Sequence, residues 1–417
     1  MLEHGGRLGR ASREFGIPRE EWLDLSTGVC PRGWPVPVVP ADAWQRLPED
    51  DDGLLDAARA YYGTRDLLPV AGSQAAIAAL PRLRARSRVG VIAPGYAEHA
   101  HAWRRAGHDV VALPLPELLA RAGEFDVVIV IRPNNPTGTC LDRETLLALH
   151  SRLSKPAVVG AAAVGHALVK PALLEPALVE PALVEPALVG AASAAIPRQR
   201  ASSTQAPIAA EAAPTRAGPV AGSIAGPVAG PVAGLVADPS AGPMASNEPW
   251  LVVDEAFIDA RPDESLVPHV RDGLIVLRSI GKFFGLAGAR AGFFAASPAL
   301  LDALAEVLGP WTLTGPTRHV VTQALMDHAW QASARTWLHE TSARLRDLLT
   351  THGLRPSGGC EFFQYCERSD AEELHRSLAR HAILVRHFDA PLALRFGLPA
   401  DDAAFARLDR VLAEVMR

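Results

Sequence analysis

Ser279, Lys282 and Arg290 share one short glycine-rich stretch, Ser279-Ile280-Gly281-Lys282-Phe283-Phe284-Gly285-Leu286-Ala287-Gly288-Ala289-Arg290. It follows the apolar run Leu274-Ile275-Val276-Leu277, which reads as a buried strand. Small residues at 281, 285 and 288 would let a bulky planar ligand come close to the backbone. An amine kept out of water there loses its proton more readily and can condense with a carbonyl. Arg290 would hold a phosphate dianion, with the Ser279 hydroxyl as a further donor. The plainer alternative is a solvated lysine in a glycine-rich loop, and this stretch alone leaves both open.

The elements that must position such a site are legible as strands ending in polar or Gly/Pro residues. Val89-Gly90-Val91-Ile92-Ala93 leads to Pro94-Gly95-Tyr96, and Val127-Val128-Ile129-Val130-Ile131 leads to Arg132-Pro133-Asn134-Asn135-Pro136-Thr137-Gly138. Trp250-Leu251-Val252-Val253 leads to Asp254-Glu255-Ala256-Phe257. With 274–277 these make four strands of continuous apolar character, as expected of a parallel sheet covered on both faces by helices. Ligands of open α/β sheets lie at the carboxyl ends of the strands. Those ends carry Tyr96, Asn135, Asp254 and Lys282, so one ligand touched by all four is the economical reading. Leu68-Pro69-Val70-Ala71-Gly72-Ser73-Gln74 is a turn opening into a helix, which Pro81 should kink or end. Free amides at Ser73 and Gln74 suit a phosphate, although Ser73 as a simple N-cap is equally expected.

The 417 residues exceed one typical domain. Residues 1–40, with His4-Gly5-Gly6 and a Pro-rich run, read as an N-terminal arm and not a packed element; His4, the two glycines and Arg7 could bind an anion, or form a solvated tail. Residues 41–156 and 249–295 form the large domain, and 296–417 a smaller α+β domain. Between them, 157–248 contains Pro-Ala-Leu-Val-Glu and Gly-Pro-Val-Ala-Gly repeats whose prolines forbid a continuous helix or central strand, so a disordered insert is expected. Arg395, on the apolar strand 391–397, should either pair with a carboxylate or await an anionic substrate.

A net charge of −5 argues against a nucleic-acid partner. Four cysteines without metal-ligand spacing imply reduced thiols, no metal and a cytoplasmic setting. No stretch reaches the ~18 apolar residues of a membrane span, so no membrane association is expected.

The combination of Asn-Pro-Thr-Gly at 135–138, Asp-Glu-Ala-Phe at 254–257, Ser279-x-x-Lys282 with Arg290, and Arg395-Phe396-Gly397 resembles the fold-type I enzymes that use pyridoxal 5'-phosphate (PLP). The resemblance covers nearly the whole chain outside the insert. It implies an α/β PLP-dependent transferase fold and a homodimer. It also implies Lys282 as the catalytic lysine, Asp254 at the ring nitrogen, Asn135 at the ring oxygen, Tyr96 stacked on the ring, and Ser73, Gln74, Ser279 and Arg290 at the phosphate. Within that group, His4-Gly5-Gly6, Asp24-Leu25-Ser26-Thr27-Gly28, 254–259 and 281–288 most resemble the threonine-phosphate decarboxylase family of cobalamin biosynthesis, relatives of histidinol-phosphate aminotransferases. This implies a small phosphorylated amino-acid substrate, L-threonine O-3-phosphate, with Arg395 at its carboxylate and His4, Gly5 and Gly6 near its phosphate. Phe257 stands where many aminotransferases have tyrosine, and Leu47 where a tyrosine reaching the partner's phosphate is common. The rival readings are a histidinol-phosphate-type aminotransferase and a non-catalytic binding module of the same fold.

Overall fold

The computed structural model describes residues 5–154 and 248–416. His4 and all of the expected insert except Glu248 lie outside the described residues. In chain order the strands are β1 (Leu23–Leu25), β2 (Leu67–Val70), β3 (Arg88–Ile92), β4 (Asp109–Leu113), β5 (Val127–Ile131) and β6 (Trp250–Asp254). They continue as β7 (Leu274–Ser279), β8 (Gly292–Ala295), β9 (Gly358–Cys360), β10 (Phe363–Glu367), β11 (Ile383–Asp389) and β12 (Leu392–Gly397).

Seven strands form one sheet in the order β2-β8-β7-β6-β5-β3-β4. β3 to β7 are mutually parallel, and only β8 runs against its neighbours β7 and β2. β5 and β6 are buried along their whole length, because alternate residues feed two different cores. Val127, Ile129, Val252, Ile275 and Leu277 pack with Ile77, Trp103, Leu300 and Leu304 on one face. Val128, Val130, Leu251, Val253 and Val276 pack with Leu146, Leu149 and Phe283 on the other. The β-branched residues needed for this double-sided burial are those that made the strands readable.

The second sheet, β1-β11-β12-β10-β9, belongs to a C-terminal lobe built with the helices His328–Thr351, Ala371–Arg380 and Asp402–Val415. Two boundaries differ from expectation. The first 40 residues are not a detached arm: β1 pairs in parallel with β11, and Ala11 and Trp22 are buried against Ala379 and Leu384. The helices Pro298–Leu308 and Gly315–Met326, expected in the C-terminal domain, pack instead on Ser73–Ala79 and Leu54–Tyr62 and cover the large sheet. The change of lobe therefore falls near Asp327, which caps the helix His328–Thr351 by accepting the Trp330 amide.

Beneath the strand ends lies a fully buried ionic network. Glu255 faces Arg132 at 3.3 Å and Arg278 at 3.0 Å, and it also accepts from Ser265 Oγ at 2.6 Å and the Leu266 amide at 2.9 Å. Arg278 continues to Asp259, which accepts the Tyr61 hydroxyl. Removing one member of such a set strands the rest in a low-dielectric interior. Glu255→Ala should therefore cost about 3–5 kcal/mol, read as a lower urea midpoint than that of the parent protein.

Candidate active site

Asp254 ends β6 and is 3% exposed. Its Oδ1 accepts the Ala256 amide at 3.0 Å, and its Oδ2 lies 2.9 Å from Nε2 of His99, itself buried on the helix Glu98–Arg105. Among the described residues no arginine or lysine pairs with this carboxylate, so it is a buried acid supported by an imidazole and an amide. Sequence reasoning missed His99. The available signal was its place three residues after Tyr96, at the entry to the helix, where the two rings meet edge to face at 6.2 Å.

Lys282 follows β7 in the short helix Ile280–Phe283. The side chain is half-buried, with Nζ 5.5 Å from the centre of the Phe257 ring. Burial is the largest cause of its lowered pKa of about 8; Arg395 and Arg290 push the same way against the opposing pull of Asp254. The charges that act on this amine are thus the same side chains that the sequence singled out.

At one end of the site, backbone and guanidinium converge where side chains are excluded. A Cβ on Gly292 would lie 2.7 Å from the Ser73 amide nitrogen, and one on Gly72 would lie 3.0 Å from Arg290 Nη2. Arg290 itself adopts a left-handed backbone with φ 53. Ser73 is the first residue of its helix, with Gly72 at the N-cap, so the expectation of a Ser73 cap does not hold. The Gln74 side chain is engaged elsewhere: its Oε1 accepts the Tyr96 hydroxyl at 3.1 Å and its Nε2 donates to Glu98 at 3.1 Å. Tyr96 is thereby anchored, and burial, helped by Glu98 and Asp254, pushes its phenol up to about 12.

At the other end Arg395 is 6% exposed. Its guanidinium donates to Asn135 Oδ1 and, at 2.9 Å, to the Ser26 carbonyl; its Nε has no partner, and Phe363 lies beneath at 5.0 Å. No carboxylate pairs with it among the described residues. Burial brings its pKa down to about 10, and Arg386 adds to the fall. Arg386, also missed from the sequence, is registered directly opposite Arg395 on β11, which brings a second positive charge beside it. Gly5 and Gly6 dock on the same spot: the Gly6 amide donates to Ser26 Oγ at 2.8 Å, and a Cβ on Gly5 would clash with the Ser26 carbonyl at 2.3 Å.

The family described as aminotransferase class I and II matches residues 51–159 and 244–407. A threonine-phosphate decarboxylase from Pseudomonas aeruginosa is 43% identical over 413 residues, 99% of this chain and 97% of that protein. One from Sinorhizobium sp is 33% identical, covering 99% of this chain and 98% of that protein. Among solved structures, histidinol-phosphate aminotransferase from Sinorhizobium meliloti in complex with pyridoxal-5'-phosphate matches with TM-score 0.65 at 17% identity, covering 100% of this chain and 95% of that one, a likeness of fold.

Acylation of the Lys282 amine in ligand-free protein should show half-maximal rate near pH 8, well below an ordinary lysine. Arg395→Met removes a cation that disfavours the ammonium, so the midpoint should move upward. Mass-spectrometric mapping of the modified peptide across pH checks both expectations.

Proposed function

Since the chain belongs to the aminotransferase class I and II family, we propose that it decarboxylates L-threonine O-3-phosphate to (R)-1-aminopropan-2-ol O-phosphate, a step of cobalamin biosynthesis, with pyridoxal 5'-phosphate as cofactor. The observation that carries this reading is Arg395, a buried guanidinium without a carboxylate partner among the described residues, set opposite Arg386 and close enough to Lys282 to shift its titration. A substrate bearing both a carboxylate and a phosphate answers that charge; a purely apolar one does not.

The residues present fit the cofactor. The glycine-lined convergence of the Ser73 amide and Arg290 supports a phosphate subsite, with the Ser279 hydroxyl adjoining and Gln74 contributing through its backbone while its side chain holds Tyr96. Asp254 is suited to hold a proton on a ring nitrogen, and its contact with His99 keeps the carboxylate oriented for that task. Tyr96 would cover the ring, and the Asn135 side chain, already touching Arg395, would reach the ring oxygen. When bound, the cofactor accepts the electron pair left on the substrate carbon as carbon dioxide departs. Lys282, whose pKa is brought down to about 8, would hold the cofactor and, once its amine is released and protonated, would be placed to supply a proton to that carbon from Nζ. Arg395 would grip the carboxylate and so orient the bond at that carbon that is to break. Arg386, Gly5, Gly6 and His4 would receive the substrate phosphate.

The assembly we propose is a homodimer. Val38, Trp44, Leu47 and Trp311 leave apolar side chains exposed, and the stretches they belong to touch where the Ala43 carbonyl meets Gly315. The proposed compartment is the cytoplasm, where the four free thiols would stay reduced.

Incubation of purified protein with pyridoxal 5'-phosphate and phosphothreonine should release carbon dioxide and yield the amino-alcohol phosphate by mass, without any keto acid. Lys282→Ala should lower turnover by at least about 10²-fold. A product that keeps its carboxyl group and forms only when a keto acid is supplied would establish amino transfer in place of decarboxylation. His99→Phe, which leaves the buried acid short of one partner, should lower kcat about tenfold while phosphothreonine KM stays within twofold.

A further inference from the structure

The C-terminal hairpin β9–β10 touches the loops that follow β5 and β6. A Cβ on Gly138 would lie 2.1 Å from the Gly359 carbonyl oxygen, and one on Gly358 the same distance from that of Thr137, so the two backbones are in direct contact. Beside this contact Arg261, from the turn after β6, forms an ion pair through Nε with Oε1 of Glu361, in the turn between β9 and β10. Glu361 is 3% exposed and its Oε2 is buried without a partner, whereas the Arg261 side chain is 42% exposed. His339 is 4.0 Å from the same carboxylate oxygen, beyond hydrogen-bond reach, so Arg261 is what compensates this buried charge.

Both sides of the contact lead to Arg395. On one side Asn135, two residues before Thr137, accepts from its guanidinium. On the other, β10 supplies Phe363 beneath that guanidinium and pairs Tyr365 with Arg395 in register. The Arg261–Glu361 pair and the Arg395–Asn135 bond therefore span the same junction between the lobes.

We propose that Arg261 and Glu361 are positioning residues for the substrate carboxylate: their ion pair clamps the β9–β10 hairpin against residues 134–139 and so fixes where Arg395 presents its guanidinium. This rests on the reading of Arg395 as the carboxylate receptor. Releasing the clamp leaves Glu361 an uncompensated buried anion, which is relieved only if the hairpin moves outward or water enters. Either change shifts Arg395 relative to Asn135. The phosphate end of the cofactor subsite, at Ser73 and Arg290, is built from the large lobe alone and stays as it was.

The test uses the holoenzyme and two ligands that differ at the carboxylate: phosphothreonine as substrate, and 1-aminopropan-2-ol O-phosphate, which lacks the carboxylate, as competitive inhibitor. Arg261→Gln should lower kcat/KM for phosphothreonine by about 10–100-fold. The inhibition constant of the amino-alcohol phosphate and the affinity for pyridoxal 5'-phosphate should stay within twofold. Arg261→Lys should restore most of the loss, and Arg261→Gln should cost little more once Arg395→Lys is present. Because Arg261 is the exposed partner, its variants keep the hairpin core and serve where Glu361→Gln does not fold. Equal weakening of both ligands, or no change in either, overturns the proposal. If Arg395→Lys leaves the preference for the carboxylate ligand intact, the reading of Arg395 and this proposal fall together; if that variant erases the preference and Arg261→Gln does not weaken it, only the proposal falls.

Discussion

Positive charge outweighs negative charge around the amine of Lys282. Arg395 and Arg290 both act on it, Arg386 acts on Arg395, and among the described residues Asp254 pulls the other way. Burial is the largest cause that brings Lys282 down to about 8 and Arg395 down to about 10, and repulsion from neighbouring cations adds to it. The same repulsion makes anions the natural complement of the site. A substrate carboxylate would neutralise the Arg395 guanidinium, which has no carboxylate partner among the described residues, and phosphate groups would answer the other cations of the site. The charge pattern thus works twice: it favours the neutral form of the amine, and it suits anionic ligands.

Holding like charges together requires a stiff support. Asp254 and Glu255 are consecutive residues at the end of β6, and they point to opposite duties. Asp254 turns toward His99 and the site, while Glu255 turns inward to Arg132 and Arg278, which come from the ends of β5 and β7. The three strand ends that carry Asn135, Asp254 and Lys282 are therefore tied to one another by charge-assisted bonds as well as by the sheet ladder. Tyr61 and Arg335 extend the tie to the large-sheet helix Leu54–Tyr62 and the C-terminal lobe through Asp259. Each of these charged groups is held by at least one such bond, though Nε of Arg132, Nε of Arg278 and Oδ2 of Asp259 make none, and a reactive constellation needs support of this kind.

Much of this was legible in the residues because parallel strands buried on both faces must be continuously apolar, and the chemistry of such sheets concentrates where those runs end. β5, β6 and β7 announced themselves that way, as did Tyr96, Asn135, Asp254 and Lys282. β8 did not, since Gly292-Phe293-Phe294-Ala295 is four residues long and follows the lysine stretch without a turn signal. β1 escaped for a different reason: Leu23-Asp24-Leu25 has no strand character alone and becomes a strand by pairing with β11, over three hundred residues later. Gln74 shows the same limit at a single side chain. Its type suits a phosphate, but only the fold brings the Tyr96 hydroxyl and Glu98 to its amide. His99 was hidden because Asp254 lies 155 residues away in sequence, and Arg386 because only the register of the β11–β12 hairpin sets it opposite Arg395.

The long low-complexity stretch raises the question of how a site made from β5, β6 and β7 tolerates so large an interruption between β5 and β6. The attachment points give the answer. Parallel pairing sets Val127 beside Trp250 at the amino ends of the two strands, whereas Asp254 stands at the carboxyl end. The helix Arg143–Leu153 returns the chain to that amino end, where His150 bonds the Asp272 carbonyl just before β7 begins. The chain thus departs at Ser154 and re-enters at Glu248 on the side of the sheet opposite the strand ends that carry the chemistry. Closing a longer connection costs little extra free energy, since the entropy grows only with the logarithm of its length. The register of β6 is held instead by its two neighbours and by the double-sided burial of Leu251, Val252 and Val253. A one-residue slip would exchange the two faces and carry Asp254 away from His99, so the sheet, and not the connection, sets the position of the acid.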